Sequence, residues 1–253
     1  MTAGGDGMPV IHCAAAMGFG RSAAAYERGR PGYPDGAVDR LVAALPGRQV
    51  VDLAAGTGKL TRALVARGCE VVAVEPVAAM RALIAPPAVA IDGVAEATGL
   101  PSTSADGVTV AQAFHWFDGP RALTEIHRVL RPGGLLALLW NRRDTCDELQ
   151  RRVTDLLEPL RGGVPAHRDG TWRASLEDSE LFGPLREQTF VNEQLVDADG
   201  LADRVGSISF VAAMSEARRE ELLDEVRALA GGGVVTLRYV VELQLTRRVQ
   251  ALT

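Results

Sequence analysis

The stretch VVDLAAGTGKLT, residues 50–61, decides the fold of this chain. It begins with an apolar segment, VVDL, of the kind found in strands that are buried on both faces. Gly56 and Gly58 follow, and glycine lets the backbone turn tightly and lets a ligand lie against it. The helix expected after the turn presents free N–H groups and the positive end of its dipole at the same place. The stretch therefore predicts a buried strand, a ligand-binding turn and a helix.

A second apolar segment, VVAVE at residues 71–75, ends in an acid, Glu75. An acid about 20 residues beyond a glycine turn, at the tip of the next strand, is placed to accept hydrogen bonds from ribose hydroxyls. The two segments together predict a nucleoside-bearing cofactor at the carboxyl ends of parallel strands.

Three interpretations of the glycine turn compete. A phosphate-binding P-loop requires a glycine where Leu53 stands and a Ser or Thr where Leu60 stands, so that pattern fails twice. A dinucleotide fingerprint requires a third glycine, and Thr61 occupies its position. The remaining interpretation is a shortened turn, preceded by Asp52, that approaches a nucleoside without a pyrophosphate. S-adenosylmethionine is such a ligand.

Composition restricts the class of protein. The chain has 253 residues, of which 47% are hydrophobic and 23% charged, which is enough for a full core. Its formal net charge of -5 argues against a broad nucleic-acid surface. The three cysteines, Cys13, Cys69 and Cys146, are far apart, so we expect no zinc or other metal site, no disulfide framework, and a reducing cytoplasm. No apolar run approaches the roughly 18 residues of a membrane span, and no basic segment typical of a secretory signal opens the chain.

Apolar strands alternate with helical segments between residues 35 and 140. This alternation predicts a doubly wound, Rossmann-like α/β sheet with short right-handed crossovers. Two more strands come later, and the last alternates apolar and polar residues as an antiparallel strand does. We therefore predict a seven-stranded sheet that is mostly parallel with an antiparallel C-terminal strand. The predicted strands are 49–54, 70–75, 89–91, 107–114, 135–140, 185–191 and 234–247; the predicted helices are 35–45, 58–67, 77–85, 118–129, 142–160, 199–205 and 215–230.

The regions outside this alternation have weaker signals. Residues 1–17 are small and aperiodic and predict a disordered tail. Residues 18–34, which include the basic and aromatic sequence YERGRPGYP, are either a lead-in that covers the domain or a lid over a ligand. In the lid interpretation Tyr26, Arg28 and Arg30 reach inward. We expect one domain over 18–253, with insertions at 142–230 that shape a substrate pocket.

Four segments in this order and spacing resemble the class I S-adenosylmethionine-dependent methyltransferases. They are similar in particular to the small-molecule branch that includes trans-aconitate methyltransferase-like proteins, and YERGRPGYP also fits that branch. The resemblance covers roughly residue 19 to the end. The segments are VVDLAAGTGKLT, VVAVEP, VAEATGLPSTSADGVTVAQAFHWFD and EIHRVLRPGGLLALLWNRRD.

The resemblance implies that S-adenosylmethionine is the cofactor, with S-adenosylhomocysteine as product, and it implies a role for each site residue. Residues of the turn would lie under the aminoacyl end, Glu75 would hold the ribose, Val77 or Met80 would flank the adenine, and Val94 stands where many relatives have an acid. The last residues of strand four would lie near the methionine, and two lid residues would close over it. The implied cofactor residues are Tyr26, Arg30, Ala54, Gly56, Thr57, Gly58, Glu75, Val77, Met80, Ala95, Glu96, Gln112 and Ala113.

His115 is the candidate catalytic residue, because it follows strand four on the edge where the methyl group would point. Three roles are open for it: a general base, a residue that positions substrate or cofactor, or a structural histidine packed against Trp116. A base is needed only where the acceptor loses a proton, as a neutral hydroxyl or an activated carbon would.

We expect a small-molecule acceptor, no nucleic-acid or membrane partner, and O-methylation. N- or C-methylation is the alternative within the class, and a non-catalytic cofactor-binding protein is the alternative outside it. The sequence does not indicate an oligomeric state.

Overall fold

The computed structural model describes residues 23–165 and 167–249. The predicted tail, residues 1–17, and the first part of the predicted lid, residues 18–22, lie outside the described residues. Within the described ranges no helix combines the length and the apolar character needed to cross a membrane. In the same ranges no group of three or more His, Cys, Asp or Glu side chains is arranged to hold a metal ion.

Seven strands form one sheet, and helices cover both of its faces. The spatial order of the strands is β3-β2-β1-β4-β5-β7-β6. The strands are β1 (Gln49–Leu53), β2 (Glu70–Val74), β3 (Val89–Ile91), β4 (Ala105–Ala111), β5 (Leu130–Arg143), β6 (Arg186–Val196) and β7 (Val235–Arg247). The α-helices are α1 (Ala23–Gly29), α2 (Asp35–Ala44), α3 (Lys59–Val65), α4 (Ala78–Arg81), α5 (Gly119–Val129), α6 (Glu148–Leu157), α7 (Thr171–Glu177), α8 (Ala198–Gly206), α9 (Ser209–Ala212) and α10 (Glu216–Leu229). Single 3₁₀ turns occur at Phe114–Trp116, Glu158–Leu160 and His167–Asp169.

The predicted sheet architecture is confirmed. β1 to β5 pair in parallel, and β7 is antiparallel to both of its neighbours, β5 and β6. The strand order reverses between β1 and β4, because the chain first adds strands on one side of β1 and then on the other. Ligands of doubly wound sheets bind beyond the carboxyl ends of the strands at such a reversal.

Several predicted boundaries were wrong, and tertiary pairing explains them. Strand four, predicted to reach residue 114, ends at Ala111, because Gln112 adopts a left-handed backbone conformation with φ of 61°. Strand five, predicted over 135–140, runs from Leu130 to Arg143, because β7 pairs with it as far as the Arg143–Tyr239 position. The helix predicted over 142–160 therefore begins only at Glu148, after the N-cap Asp147. The helix predicted over 77–85 is one turn, and the strand predicted over 185–191 extends over 186–196.

Helix α1, in the predicted lid, packs directly on α8 of the C-terminal third. A Cβ atom on Gly29 would lie 2.4 Å from the carbonyl carbon of Asp203, so the two backbones touch at this glycine. Arg28 was expected to reach inward, but its side chain is 63% exposed and donates two hydrogen bonds to the Asp203 carboxylate. Two contacts therefore join α1 to α8: the close backbone approach at Gly29 and the ion pair of Arg28 with Asp203 at the surface.

Replacement of Gly29 by Ala should loosen this contact. The added methyl group meets backbone rather than a flexible side chain, and such overpacking typically costs about 1–3 kcal/mol. Gly29→Ala should lower the free energy of unfolding, measured by urea denaturation, by about that amount. Gly32→Ala is the matched control, because a Cβ atom there meets nothing within 4 Å. Equal stability of the two variants would contradict the close contact.

Candidate active site

A cavity of about 830 Å³ lies beyond the carboxyl ends of β1, β2 and β4, and we call it the donor cavity. Ten of the thirteen predicted cofactor residues line it, although they come from five separate parts of the sequence. The ten are Tyr26, Ala54, Gly56, Glu75, Val77, Met80, Ala95, Glu96, Gln112 and Ala113. The structure therefore places most of the predicted cofactor residues around one space.

Glu75 fixes the shape of this cavity. Its carboxylate accepts the N–H of Gly56 at 2.8 Å through one oxygen and the N–H of Val77 at 2.8 Å through the other. The side chain is 4% exposed, and burial raises its pKa, while the two N–H groups and the charge of Arg81 act in the opposite direction. Each carboxylate oxygen has lone pairs left for further donors, such as the hydroxyls of a ribose.

On each side of the cavity, one residue other than glycine adopts the left-handed backbone conformation. Ala54 follows β1 with φ of 52°, and Gln112 follows β4 with φ of 61°. This conformation costs roughly 1–2 kcal/mol for a residue with a Cβ atom, and such strain concentrates at functional sites. Backbone hydrogen bonds to neighbouring strands hold the two turns in place. The N–H of Ala55 donates to the Val74 carbonyl, and the N–H of Gln112 donates to the Leu139 carbonyl.

The three remaining predicted cofactor residues lie at or behind a second, smaller cavity of about 480 Å³, which we call the turn cavity. Thr57 and Arg30 line it, and the Thr57 hydroxyl is buried without a hydrogen-bond partner in the described part of the chain. Gly58 is the N-cap of α3, with φ of 81°, and lines neither the turn cavity nor the donor cavity. Tyr26 lies over the turn, because its Cε1 atom would be 3.9 Å from a Cβ on Gly56.

A third cavity, of about 1520 Å³, adjoins the donor cavity, and we call it the acceptor chamber. The two share Tyr26, Gln112 and Trp116 in their walls. His115 lines the chamber, as its position after strand four predicted, and its ring lies 5.1 Å from that of Trp116.

The imidazole of His115 is neutral at physiological pH. Burial is the main cause that lowers its pKa to about 4; the nearby His167 and Arg30 act in the same direction, and Asp169 opposes them. Its Nδ1 atom is buried and has no hydrogen-bond partner among the described residues. A neutral imidazole can accept a proton or a hydrogen bond, which a protonated one cannot.

Sequence reasoning missed parts of the chamber wall that come from the C-terminal third. His167 stacks against Trp172, with ring centroids 5.2 Å apart, and its Nε2 lies 3.2 Å from Oε2 of Glu242. No local pattern marks His167, because it lies in an irregular segment. Arg204 did carry a signal: it falls on the apolar face of an amphipathic helix, beside the buried Leu201.

Comparison with known proteins identifies the family. A model of the methyltransferase domain matches residues 51–138. An uncharacterized methyltransferase of Mycobacterium tuberculosis (strain ATCC 25618 / H37Rv) is 41% identical over 235 residues, which cover 88% of this chain and 93% of the relative. The chain belongs to the methyltransferase family. The predicted resemblance to class I S-adenosylmethionine-dependent methyltransferases is thereby confirmed.

Two further proteins place this methyltransferase among its relatives. A solved structure from Anaeromyxobacter dehalogenans, assigned as a type II methyltransferase, is 26% identical with a TM-score of 0.66, covering 87% of this chain and 98% of that one. A malonyl-[acyl-carrier protein] O-methyltransferase of Enterobacter lignolyticus is 35% identical over 150 residues, 56% of this chain and 59% of that protein.

The described residues fit the cofactor that the family implies. The Glu75 carboxylate suits a pair of ribose hydroxyls, and the apolar Val77 and Met80 suit the faces of an adenine. Glu96 accepts the N–H of Asp118 at 2.9 Å, which holds its side chain at the cavity rim. The unpartnered Thr57 hydroxyl in the turn cavity is a donor for an aminoacyl carboxylate.

Asp52, the one acid of β1, is buried, and its contribution to stability depends on pH. Its carboxylate accepts hydrogen bonds from Thr61 at 2.6 Å and from Thr109 at 2.7 Å. Burial raises its pKa to about 6, although the two threonines oppose this rise. The folded protein therefore holds a proton on Asp52 at pH values where the unfolded chain has released it. The contribution of this group to stability is highest below about pH 4 and falls as the pH rises to about 6.

Asp52→Asn should remove this dependence. An amide can donate to one threonine hydroxyl and accept from the other. The stability of the variant relative to the unmutated protein should therefore rise by roughly 2 kcal/mol between pH 4.5 and 7, in urea titrations at each pH. Asp155→Asn, at a side chain that is 63% exposed, is the control and should show no such trend. A stability difference that does not change with pH would refute the raised pKa.

Proposed function

We propose that this methyltransferase transfers a methyl group from S-adenosylmethionine to a small molecule and forms an O-methyl product. The observation that carries the proposal is the acceptor chamber, which adjoins the donor cavity through shared walls at Tyr26, Gln112 and Trp116. A space for a second molecule at this place supports transfer, and it counts against a protein that only binds the cofactor.

The donor site orients its ligand by contacts at both ends. S-adenosylmethionine, when bound, supplies an electrophilic methyl group on a sulfonium. Glu75 would accept hydrogen bonds from the ribose at one end of the donor cavity, and Thr57 and Arg30 would donate to the carboxylate at the other end. Tyr26 would cover the middle from the lid and exclude water. Orientation of this kind is the main requirement, because an in-line displacement depends on alignment.

His115 would act on the acceptor. Because its imidazole is neutral at physiological pH, it is ready to accept the proton of a bound hydroxyl. Its low pKa makes it a weak base, so we assign it chiefly to orienting the hydroxyl by a hydrogen bond and to receiving the proton as the new O–C bond forms. An acceptor that is already ionised, such as a carboxylate, would need only the orienting contact.

Two observations favour oxygen and a small acceptor. One relative is named as an O-methyltransferase that acts on a malonyl group, which carries a carboxylate. The chamber is lined by residues of the N-terminal lead-in and of the C-terminal third, and the net charge of -5 does not favour a nucleic acid. N- or C-methylation would use the same donor cavity and differs only in the contents of the chamber.

Loss of the Glu75 carboxylate should weaken cofactor binding. Glu75→Ala removes a charged hydrogen-bond acceptor and leaves the N–H groups of Gly56 and Val77 without it, so affinity for S-adenosylhomocysteine should fall by at least ~1 kcal/mol in isothermal titration. Glu70→Ala, an exposed acid at the start of the same strand, is the control and should bind normally. Undetectable binding by the unmutated protein would reject the proposed function altogether.

His115→Asn separates chemistry from cofactor binding. Turnover would be followed as transfer of a radiolabelled methyl group to a panel of small carboxylates, phenols and amines. If His115 accepts a proton, phenol methylation should fall by roughly 10²-fold or more, and affinity for S-adenosylhomocysteine should change little. Because the imidazole is already neutral, the rate should show no inflection from His115 between pH 6 and 8. Near-normal turnover of the variant would reject the role.

A further inference from the structure

The acceptor chamber is strongly basic, although the protein as a whole carries a net charge of -5. Five arginines and one glutamate line it. Two of the arginines have acidic partners, since Arg142 pairs with Glu242 at 2.5 Å and Arg161 with Asp169 at 2.9 Å. Two others, Arg30 and Arg204, have no acidic partner in the described part of the chain, and both also line the turn cavity.

Arg204 is the more deeply buried of these two, with 6% of its surface exposed. Its Nε donates to the hydroxyl of Tyr239 at 3.1 Å, and that hydroxyl donates in turn to Gln194. The Nη1 atom is buried without a hydrogen-bond partner. A guanidinium carries five N–H donors, so most of those on Arg204 have no acceptor in the described structure.

Arg30 approaches the same place from the lid. Its Nε donates to the Ser207 hydroxyl at 2.9 Å and its Nη2 to the Ser207 carbonyl at 3.0 Å, so its hydrogen-bond acceptors among the described residues are neutral. Burial and, after it, the positive charge of Arg204 together lower its pKa to about 10. The two guanidiniums therefore lie close enough to repel each other.

A buried charge without a counterion destabilises the fold, and a second one of the same sign adds repulsion. The rings of Tyr26 and Tyr239 lie beside the two guanidiniums, but within the described residues no carboxylate balances either charge at the junction of the turn cavity and the acceptor chamber. We propose that Arg204, together with Arg30, forms a binding site for an anionic group, a carboxylate, at this junction. A carboxylate matches a guanidinium fork in two parallel hydrogen bonds and supplies the missing charge.

The carboxylate could come from either substrate, and this point rests on the proposed function. On the side of the turn cavity it would be the aminoacyl carboxylate of the methyl donor. On the side of the chamber it would belong to the acceptor. The charge favours a contribution from the acceptor, because S-adenosylmethionine is itself a net cation and leaves the two guanidiniums only partly balanced. The inference thus extends the proposed function to acceptors that are acids.

The variant that tests this site is Arg204→Met, which keeps the long apolar stem and removes the charge. If Arg204 serves a ligand, the ligand-free variant should melt at a higher temperature than the unmutated protein, because a buried uncompensated charge is removed. A merely structural arginine would give the opposite result. Arg218→Met removes the same charge from an exposed position on α10 and is the control.

Two binding measurements distinguish the source of the carboxylate. The first compares S-adenosylhomocysteine with 5′-methylthioadenosine, which lacks the aminoacyl group. If Arg204 binds the donor, the variant should lose at least tenfold in affinity for the former and nothing for the latter. The second titrates succinate into the complex with S-adenosylhomocysteine at constant ionic strength and follows thermal stabilisation, which reports ligand binding. If Arg204 binds the acceptor, the variant should bind succinate at least tenfold more weakly with an unchanged affinity for S-adenosylhomocysteine.

An effect in either measurement supports the anion site and identifies its source. The inference is overturned if Arg204→Met changes neither affinity, or if it lowers the melting temperature without changing them. That result would leave the proposed function intact, because the unmutated protein would still bind S-adenosylhomocysteine. Failure of the unmutated protein to bind S-adenosylhomocysteine would instead reject the function.

Discussion

The donor cavity depends on one carboxylate that joins two turns. Glu75, at the end of β2, accepts the N–H of Gly56 from the turn after β1 and the N–H of Val77 from the turn after its own strand. These donors lie at strand ends, where no ladder partner is available, and a buried N–H without an acceptor would cost about 1–3 kcal/mol. The same group that would bind a ribose therefore also holds the floor of the cavity. A ligand at this place meets a preformed surface, which lowers the ordering cost of binding.

Charge is distributed unevenly between the surface and the chamber. Most arginines of the described surface are paired with neighbouring acids, as Arg67 is with Asp35 and Asp39. Such exposed pairs contribute little to stability. Inside the chamber the balance is different, because Arg204 and Arg30 are held by a phenol, a hydroxyl and a carbonyl. Neutral acceptors orient a guanidinium without cancelling its charge, so these contacts preserve its attraction for an anion.

The sequence predicted which residues line the donor cavity far better than which line the acceptor chamber, for a physical reason. The residues of the donor cavity follow strand ends, and a strand end is marked locally by an apolar run, a glycine or an acid. The parallel sheet then brings these ends to one edge without further information. The errors nearby were small. The end of β4 was misplaced because left-handed Gln112 has no sequence signal, and the length of β5 depends on pairing with β7, about a hundred residues later.

The acceptor chamber could not be predicted in the same way, because its walls come from parts of the chain that meet only in the folded protein. Arg30 lies in the lid, His115 follows β4, and Arg204 lies in α8. The contact of α1 with α8 brings the first and the last of these together, against the repulsion of their charges. An anion between the two guanidiniums would convert that repulsion into two attractions. An acid that binds in the chamber should therefore also stabilise the contact between the lid and α8. By linkage, binding of the acceptor should then favour the position of the lid over the donor cavity, and that position should in turn favour binding of the acceptor.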